Sequence, residues 1–311
     1  MSVTFIKGAF EKNCNFITSQ IEHPAVLESC KQLYFYRGCN IITLSPDKDG
    51  VITLESLAKE EKKIKSLQPK FATIMLVNNE TGMIQPIKEL FKTLRKWCPN
   101  IICHTDAVQA VGKTSLDVQD LGVDSLSLSG HKFGAPKGIG ILYVKNGVKL
   151  NPLINGGGQE NGLRSGTENV PDIMGITKAL EITEHNRILN HVKMVEFDEM
   201  FLTKMWNNFS NIQLNGSHYD RALGIFNICF KGISAQNLLL FLDFYNIFVS
   251  AGSACHSDSD EPSHVLTAMG VSKEDALASL RFSFKEPIDS KKIDYIIDKL
   301  KKGINLQKEN G

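Results

Sequence analysis

The sequence has no Cys-x-x-Cys pair, no apolar run approaching the ~20 residues of a membrane span, and almost no net charge. Each absence excludes something. The seven cysteines, Cys14, Cys30, Cys39, Cys98, Cys103, Cys229 and Cys255, are odd in number and irregular in spacing. They fit neither a disulfide framework nor a structural zinc site, and most of them read as buried small hydrophobes in a reducing, cytoplasmic setting. A net charge of +1 gives no electrostatic reason to expect nucleic acid or an acidic membrane surface as partner. The opening MSVTFIKGAF has neither a secretory apolar core nor an Arg-rich presequence, although a start of this kind also fits a missing N-terminus and leaves a mitochondrial location open. There is no internal repeat. What is present is ordinary globular material: 311 residues, 42% hydrophobic and 22% charged, enough for a sizeable core. A prior of about 150 residues per domain predicts two domains.

Short apolar runs at 16–20, 40–44, 71–77, 100–104, 124–128 and 140–144 alternate with helical patterns at 25–34, 54–66 and 87–97. That alternation predicts an α/β fold with a mostly parallel sheet and helices on both faces. Residues 145–170 are loop-rich, and a long helical pattern from about 171 to 208 leads into a smaller α+β unit. Its strands are expected at 223–230, 247–250 and 279–283, with a closing helix at 290–301. The expected domains are 1–188 and 189–311. The charge runs 59–65 and 291–302 read as solvated helix faces.

In parallel sheets, ligands bind beyond the carboxyl ends of the strands, so the polar clusters after each strand are the places to look for chemistry. SLSGHKFGAPKG ends a strand in Ser129, Gly130, His131 and Lys132. A lysine partly desolvated there supplies an amine able to attack a carbonyl, with Ser and His beside it as phosphate donors; a plain surface lysine is the equal alternative. In HTDAVQ, Asp106 suits a protonated ring nitrogen and Gln109 a ring hydroxyl, while an N-cap is the simpler reading of Asp106. Asn79 in NNETG is a polar turn or an amide that holds a substrate carboxylate or cofactor oxygen. His23 in EHP opens a helix, or stacks on an aromatic ring and shuttles protons. Cys255 sits in the small-residue run SAGSACHSD as a nucleophile, with His256 able to promote its thiolate, or as a loop cysteine of no consequence. GGGQENGLRSGT offers glycines and the donors Arg164 and Thr167 for a phosphate, against a flexible linker. Arg281 in LRFSF suits bidentate carboxylate binding, against a surface ion pair.

Taken in order, ITSQIEHPAVL, LVNNETGMIQPI, HTDAVQAVGK, SLSGHKFGAPKGIGILYV, GGGQENGLRSGTENV, SAGSACHSDSDEPSHVL and LRFSF resemble the selenocysteine lyase and group I cysteine desulfurase family, of the class V aminotransferase type. These blocks span about residues 7 to 300. The resemblance implies the type I fold of pyridoxal-phosphate-dependent transferases, a homodimer, a small amino-acid substrate and the cofactor pyridoxal 5'-phosphate. It implies that Lys132 bonds to the cofactor aldehyde and moves protons at the substrate Cα, and that His23 stacks on the ring. Asp106 would pair with the ring nitrogen, Gln109 with the ring oxygen, and Ser129 and His131 with the phosphate. Thr167 would reach the phosphate of the neighbouring subunit, Asn79 would lie near the substrate, and Arg281, with Arg164, would bind the substrate. Cys255 would meet the leaving chalcogen. ACHSD followed by PSHVL leans towards selenocysteine lyase, with alanine and selenide as products; a cysteine desulfurase that forms a persulfide on Cys255 for an acceptor protein is the alternative. The family's phosphate-binding segment, T-S-G-[AG]-T-E-[SA]-N, is expected ahead of residue 1 together with about eighty residues. An impaired, truncated homologue is therefore a third expectation.

Overall fold

The computed structural model describes residues 1–9, 13–252 and 261–309. Two compact units emerge: Met1–Asp47, Val51–Asn78 and Gln85–Arg187 form the first, and Lys48–Gly50, Asn79–Ile84 and Ile188–Gly311 the second. The segments 48–50 and 79–84, inside the expected 1–188 range, thus cluster with the second unit. Backbone pairing explains one of them: Ala222 N donates to Gly82 O at 2.8 Å and Ile84 N to Asp220 O at 3.0 Å.

The first unit contains, in chain order, α1 (Ser2–Gly8), β1 (Asn15–Ser19), α2 (Pro24–Arg37), β2 (Asn40–Leu44), α3 (Leu54–Lys59), α4 (Glu61–Leu67), β3 (Phe71–Thr73), α5 (Ile87–Trp97), β4 (Ile102–Asp106), β5 (Ser125–Ser129) and β6 (Gly140–Val144). The six strands form one sheet in the order β2-β1-β3-β4-β5-β6. All neighbours run parallel except β5 and β6. Strands β3 and β5 are buried almost end to end, as a sheet covered by helices requires. In α5, Ile87, Leu90, Phe91 and Leu94 are buried at spacings of three and four, so one apolar stripe docks while Lys and Glu face water.

Several boundaries differ from the sequence expectation. The strand expected at 71–77 keeps ladder pairing only over Phe71–Thr73, although Ile74 N and Leu76 N still donate to His104 O and Asp106 O. The strand expected at 100–104 begins two residues later, after a turn in which Ile101 N donates to Cys98 O. The helix expected at 54–66 is broken at Glu60 (φ −95°, ψ 2°). Helix α1 was not expected at all.

The second unit begins within α6 (Val170–Asn208), which spans both units, and continues through β7 (Ile212–Leu214), β8 (Ile225–Phe230), α7 (Ala235–Phe244), β9 (Ser250–Ala251), α8 (His264–Ala268), α9 (Lys273–Leu277), β10 (Ser279–Ser283) and α10 (Ser290–Glu309). Its four strands form an antiparallel sheet in the order β7-β8-β10-β9. Phe201, Phe226, Phe282, Leu238 and Leu300 join α6, β8, β10, α7 and α10 in one core. The architecture is therefore α/β with a mostly parallel sheet, plus a smaller α+β unit, as the sequence led one to expect.

Candidate active site

The carboxyl ends of β1, β4 and β5 carry the polar groups of the first unit. Beyond β1, His23 is the N-cap of α2, and its Nδ1 accepts from Ala25 N at 3.1 Å. In the neutral ring the proton therefore lies on Nε2. The segment before it is tied down by two long-range bonds. Glu22 Oε1 accepts from Ser19 Oγ at 2.7 Å and from Met75 N at 2.8 Å, and Asn78 Nδ2 donates to Ile21 O at 3.0 Å. Glu22 is fully buried, and that burial pushes its carboxyl up to about 8, against the smaller opposing effect of its hydrogen bonds.

Asp106 ends β4 and is 7% exposed. Oδ2 accepts from Ser2 Oγ at 2.8 Å, and Oδ1 from Val108 N at 3.0 Å. Ser2 Oγ also lies 2.6 Å from Ser127 Oγ, and Ser127 is the register partner of Asp106 on β5. Each carboxylate oxygen thus keeps an acceptor site for a further donor. Behind this group, His104 is fully buried and lies flat on Phe5, with ring centroids 4.2 Å apart. Burial lowers its imidazole to about 3, so it packs as a neutral ring.

Strand β5 runs into a 3-10 turn over Gly130–Lys132. Gly130 O accepts from Phe133 N at 3.1 Å and Ala135 N at 3.0 Å, which folds the chain back tightly. A Cβ on Gly130 would lie 2.9 Å from Ala135 Cβ, so only glycine fits this turn. The turn presents His131 and Lys132 as exposed side chains, and Ser129 Oγ lies 3.0 Å from His131 Nδ1. Partial burial, then the charges of Lys132 and Lys137, hold His131 below the usual imidazole range.

Gln109 is half-buried in the turn after β4, and its carbonyl accepts from Lys113 Nζ at 3.2 Å. Burial lowers the Lys113 ammonium to about 8, and the nearby Lys132 charge adds to this. Ser2, Glu22 and Lys113 are the members of this cluster to which sequence reasoning gave no role. A glutamate beside the helix-opening His23 and a lysine after Gly112 are weak signals, and Ser2 has none.

Arg164 and Thr167 are exposed in the 163–169 loop, where Arg164 Nη1 donates to Ser165 O at 3.4 Å. Among the described residues no hydrogen bond ties either of them to Lys132, Asp106 or Ser129. In the second unit, Arg281 on β10 donates from Nη1 to Asn79 O at 3.0 Å and from Nη2 to Ser250 Oγ at 3.1 Å. Arg281 and Asn79, both expected at the substrate, are therefore brought together, through the Asn79 backbone rather than its amide. Cys255 and His256 lie outside the described residues.

The donor set of the first unit fits a phosphorylated pyridine aldehyde. An amine sits on the turn after β5, a buried carboxylate with spare acceptor sites lies on the adjacent strand, a hydroxyl and an imidazole flank the amine, and a second imidazole caps α2.

Over residues 3–296 the chain matches the Aminotransferase class-V family, and it belongs to that family. The cofactor of this class is pyridoxal 5'-phosphate. Among its relatives, the cysteine desulfurase IscS of Dictyoglomus turgidum is 40% identical over 291 residues, covering 94% of this chain and 72% of that protein. The cysteine desulfurase IscS of Methanosarcina thermophila is 41% identical over 293 residues, covering 93% and 69%. Among solved structures, a NifS-like protein from Rickettsia africae superposes with a TM-score of 0.86 at 30% identity, covering 98% of this chain and 79% of that one. Among the described residues no helix is long and apolar enough to cross a membrane.

Proposed function

We propose that the protein is a cysteine desulfurase that converts L-cysteine to L-alanine and passes the sulfur to a thiol of its own, Cys255, and from there to an acceptor protein. The observation that carries this is the placement of Asp106 and the Lys132 turn at the carboxyl ends of two adjacent parallel strands, with Asp106 buried and still able to accept. The names of the relatives favour sulfur. This displaces selenocysteine from first place among the expected substrates; it stays as a second reading on the ACHSD and PSHVL segments.

Bound pyridoxal phosphate supplies an electron sink for the substrate Cα. Lys132 would hold the cofactor through its amine and would take and return a proton at the substrate Cα. Asp106 would accept from the ring nitrogen and favour its protonated form. Gln109 orients the ring oxygen, and Ser129 and His131 hold the phosphate. Thr167 contributes to the phosphate of the second subunit in a homodimer. His23 covers the ring with an imidazole whose Nε2 can exchange a proton. Arg281 takes the substrate carboxylate, with Asn79 and Arg164 beside the substrate. The Cys255 thiolate would attack the substrate sulfur; the Cβ–S bond breaks with its electron pair taken up on the carbon side, and the released sulfur stays on Cys255 as a persulfide.

Two measurements test this. Borohydride reduction of protein loaded with pyridoxal phosphate, followed by peptide mapping, is expected to label Lys132. Cysteine is then expected to yield alanine and a persulfide on Cys255. A label elsewhere, or no alanine, overturns the reading, and faster alanine release from selenocysteine moves it to the second substrate.

A further inference from the structure

Cys14 and Cys39 immediately precede β1 and β2, parallel neighbours whose first register pair is Asn15 with Asn40. Hydrogen bonds hold the two chains on either side of the pair: Asn13 N donates to Arg37 O at 3.1 Å, and Asn40 N to Cys14 O at 3.1 Å. Gly38 ends α2 in the left-handed conformation (φ 66°) and turns the chain so that Cys39 returns against Cys14. The two Sγ atoms are 3.2 Å apart, and the residues are 5% and 1% exposed. Neighbouring strands run about 4.7–4.9 Å apart, inside the range of about 4.4–6.8 Å that Cα atoms occupy across a disulfide. Bond formation at ~2.05 Å needs the sulfurs to approach by about 1 Å, within reach of small side-chain rotations.

We propose that Cys14 and Cys39 form a dithiol–disulfide site that staples the edge strand β2 to β1. The proposal does not rest on the cofactor reading. The oxidant is a low-molecular-weight disulfide. One cysteine sulfur, having lost its proton, attacks a sulfur of the oxidant; that S–S bond breaks and one small thiol leaves with a proton. The second cysteine loses its proton and attacks the protein sulfur of the mixed disulfide, releasing the second small thiol. Two protein thiols are oxidised and one small disulfide is reduced to two thiols.

Burial, then the neighbouring Cys14, pushes the Cys39 thiol up to about 12, and Arg37 opposes this only weakly. Exchange is therefore slow at neutral pH and quickens about tenfold per pH unit while the thiolate is scarce. The closed loop runs from Cys14 to Cys39 and contains β1, His23 and α2, so the staple holds the segment that presents His23.

The test uses the full chain incubated with oxidised glutathione, alkylated, and digested with trypsin and a Glu-specific protease. Cleavage after Glu22 and Glu28 separates Cys14 from Cys30, so peptide 13–22 joined to 38–48 identifies the pair. That linked peptide is expected, with a thermal midpoint about 5–10 °C higher that dithiothreitol reverses. Cys14→Ser and Cys39→Ser are expected to show neither change. Recovery of both cysteines as free thiols or as separate glutathione adducts, or pairing of either with Cys30, overturns the proposal. The peptide map uses the unsubstituted protein, so it decides the matter even if the serine variants do not fold.

Discussion

Ser2 Oγ donates to Asp106 Oδ2 across 2.8 Å, so a hydroxyl on α1 orients a carboxylate at the end of β4. The bond bridges distant parts of the chain and is largely shielded from water. Ser2→Ala leaves that oxygen one donor short and is expected to lower stability by about 1–2 kcal/mol in urea titrations. Asp106→Asn keeps the shape and removes the charge; turnover is expected to fall by more than about 10²-fold while the fold persists by circular dichroism.

Glu22 makes stability depend on pH. Its carboxyl ionises near 4.5 in the unfolded chain and near 8 in the folded one. Between those values the folded state holds more protons, so this group's contribution is fully present below pH 4.5 and is lost as pH rises to about 8. Glu22→Gln keeps an acceptor for Ser19 and Met75 and is expected to flatten the fall in stability across that window, measured by denaturant titration at several pH values. An unchanged slope would show that Glu22 is not the titrating group.

Lys113 acts in the opposite sense. Its ammonium is lowered to about 8 from the ordinary 10.5, so stability rises with pH between those values and carries the full burial cost below 8. Lys113→Met removes that slope. Denaturant titration between pH 7 and 10 is expected to show this rise in the parent protein and not in the variant. A slope retained in the variant would show that Lys113 is not the titrating group.

Arg281 holds Asn79 O and Ser250 Oγ with the two arms of one guanidinium. Lysine cannot reproduce that fork, so Arg281→Lys is expected to raise KM for cysteine about tenfold or more, with a smaller change in kcat.

Cys255→Ala is expected to abolish persulfide formation and alanine production from cysteine while leaving the cofactor spectrum intact. Retained alanine production would remove Cys255 from the reaction.

Local pattern was enough for much of the fold. Buried Ile87, Leu90, Phe91 and Leu94 show the spacing that made α5 legible, and the apolar runs of β1, β2, β5 and β6 were each placed to within a residue. Less was visible where the pattern is short or interrupted. Helix α1 has one buried stripe over seven residues, too few to establish a period. Helix α7 went unseen, although Ser234 caps it by accepting from Asn237 N.

The amino-acid order by itself determined that a histidine, a carboxylate and a lysine each stand at or just after a strand end, because strand-end polar residues and glycine turns are local features. Only the tertiary structure decided which of them share a sheet edge, that Glu22 is sealed from water, that Ser2 meets Asp106, and that Cys14 lies against Cys39. Those facts depend on strand order and on what the crossover helices cover, and both arise from contacts between residues far apart in the chain, which no local period encodes.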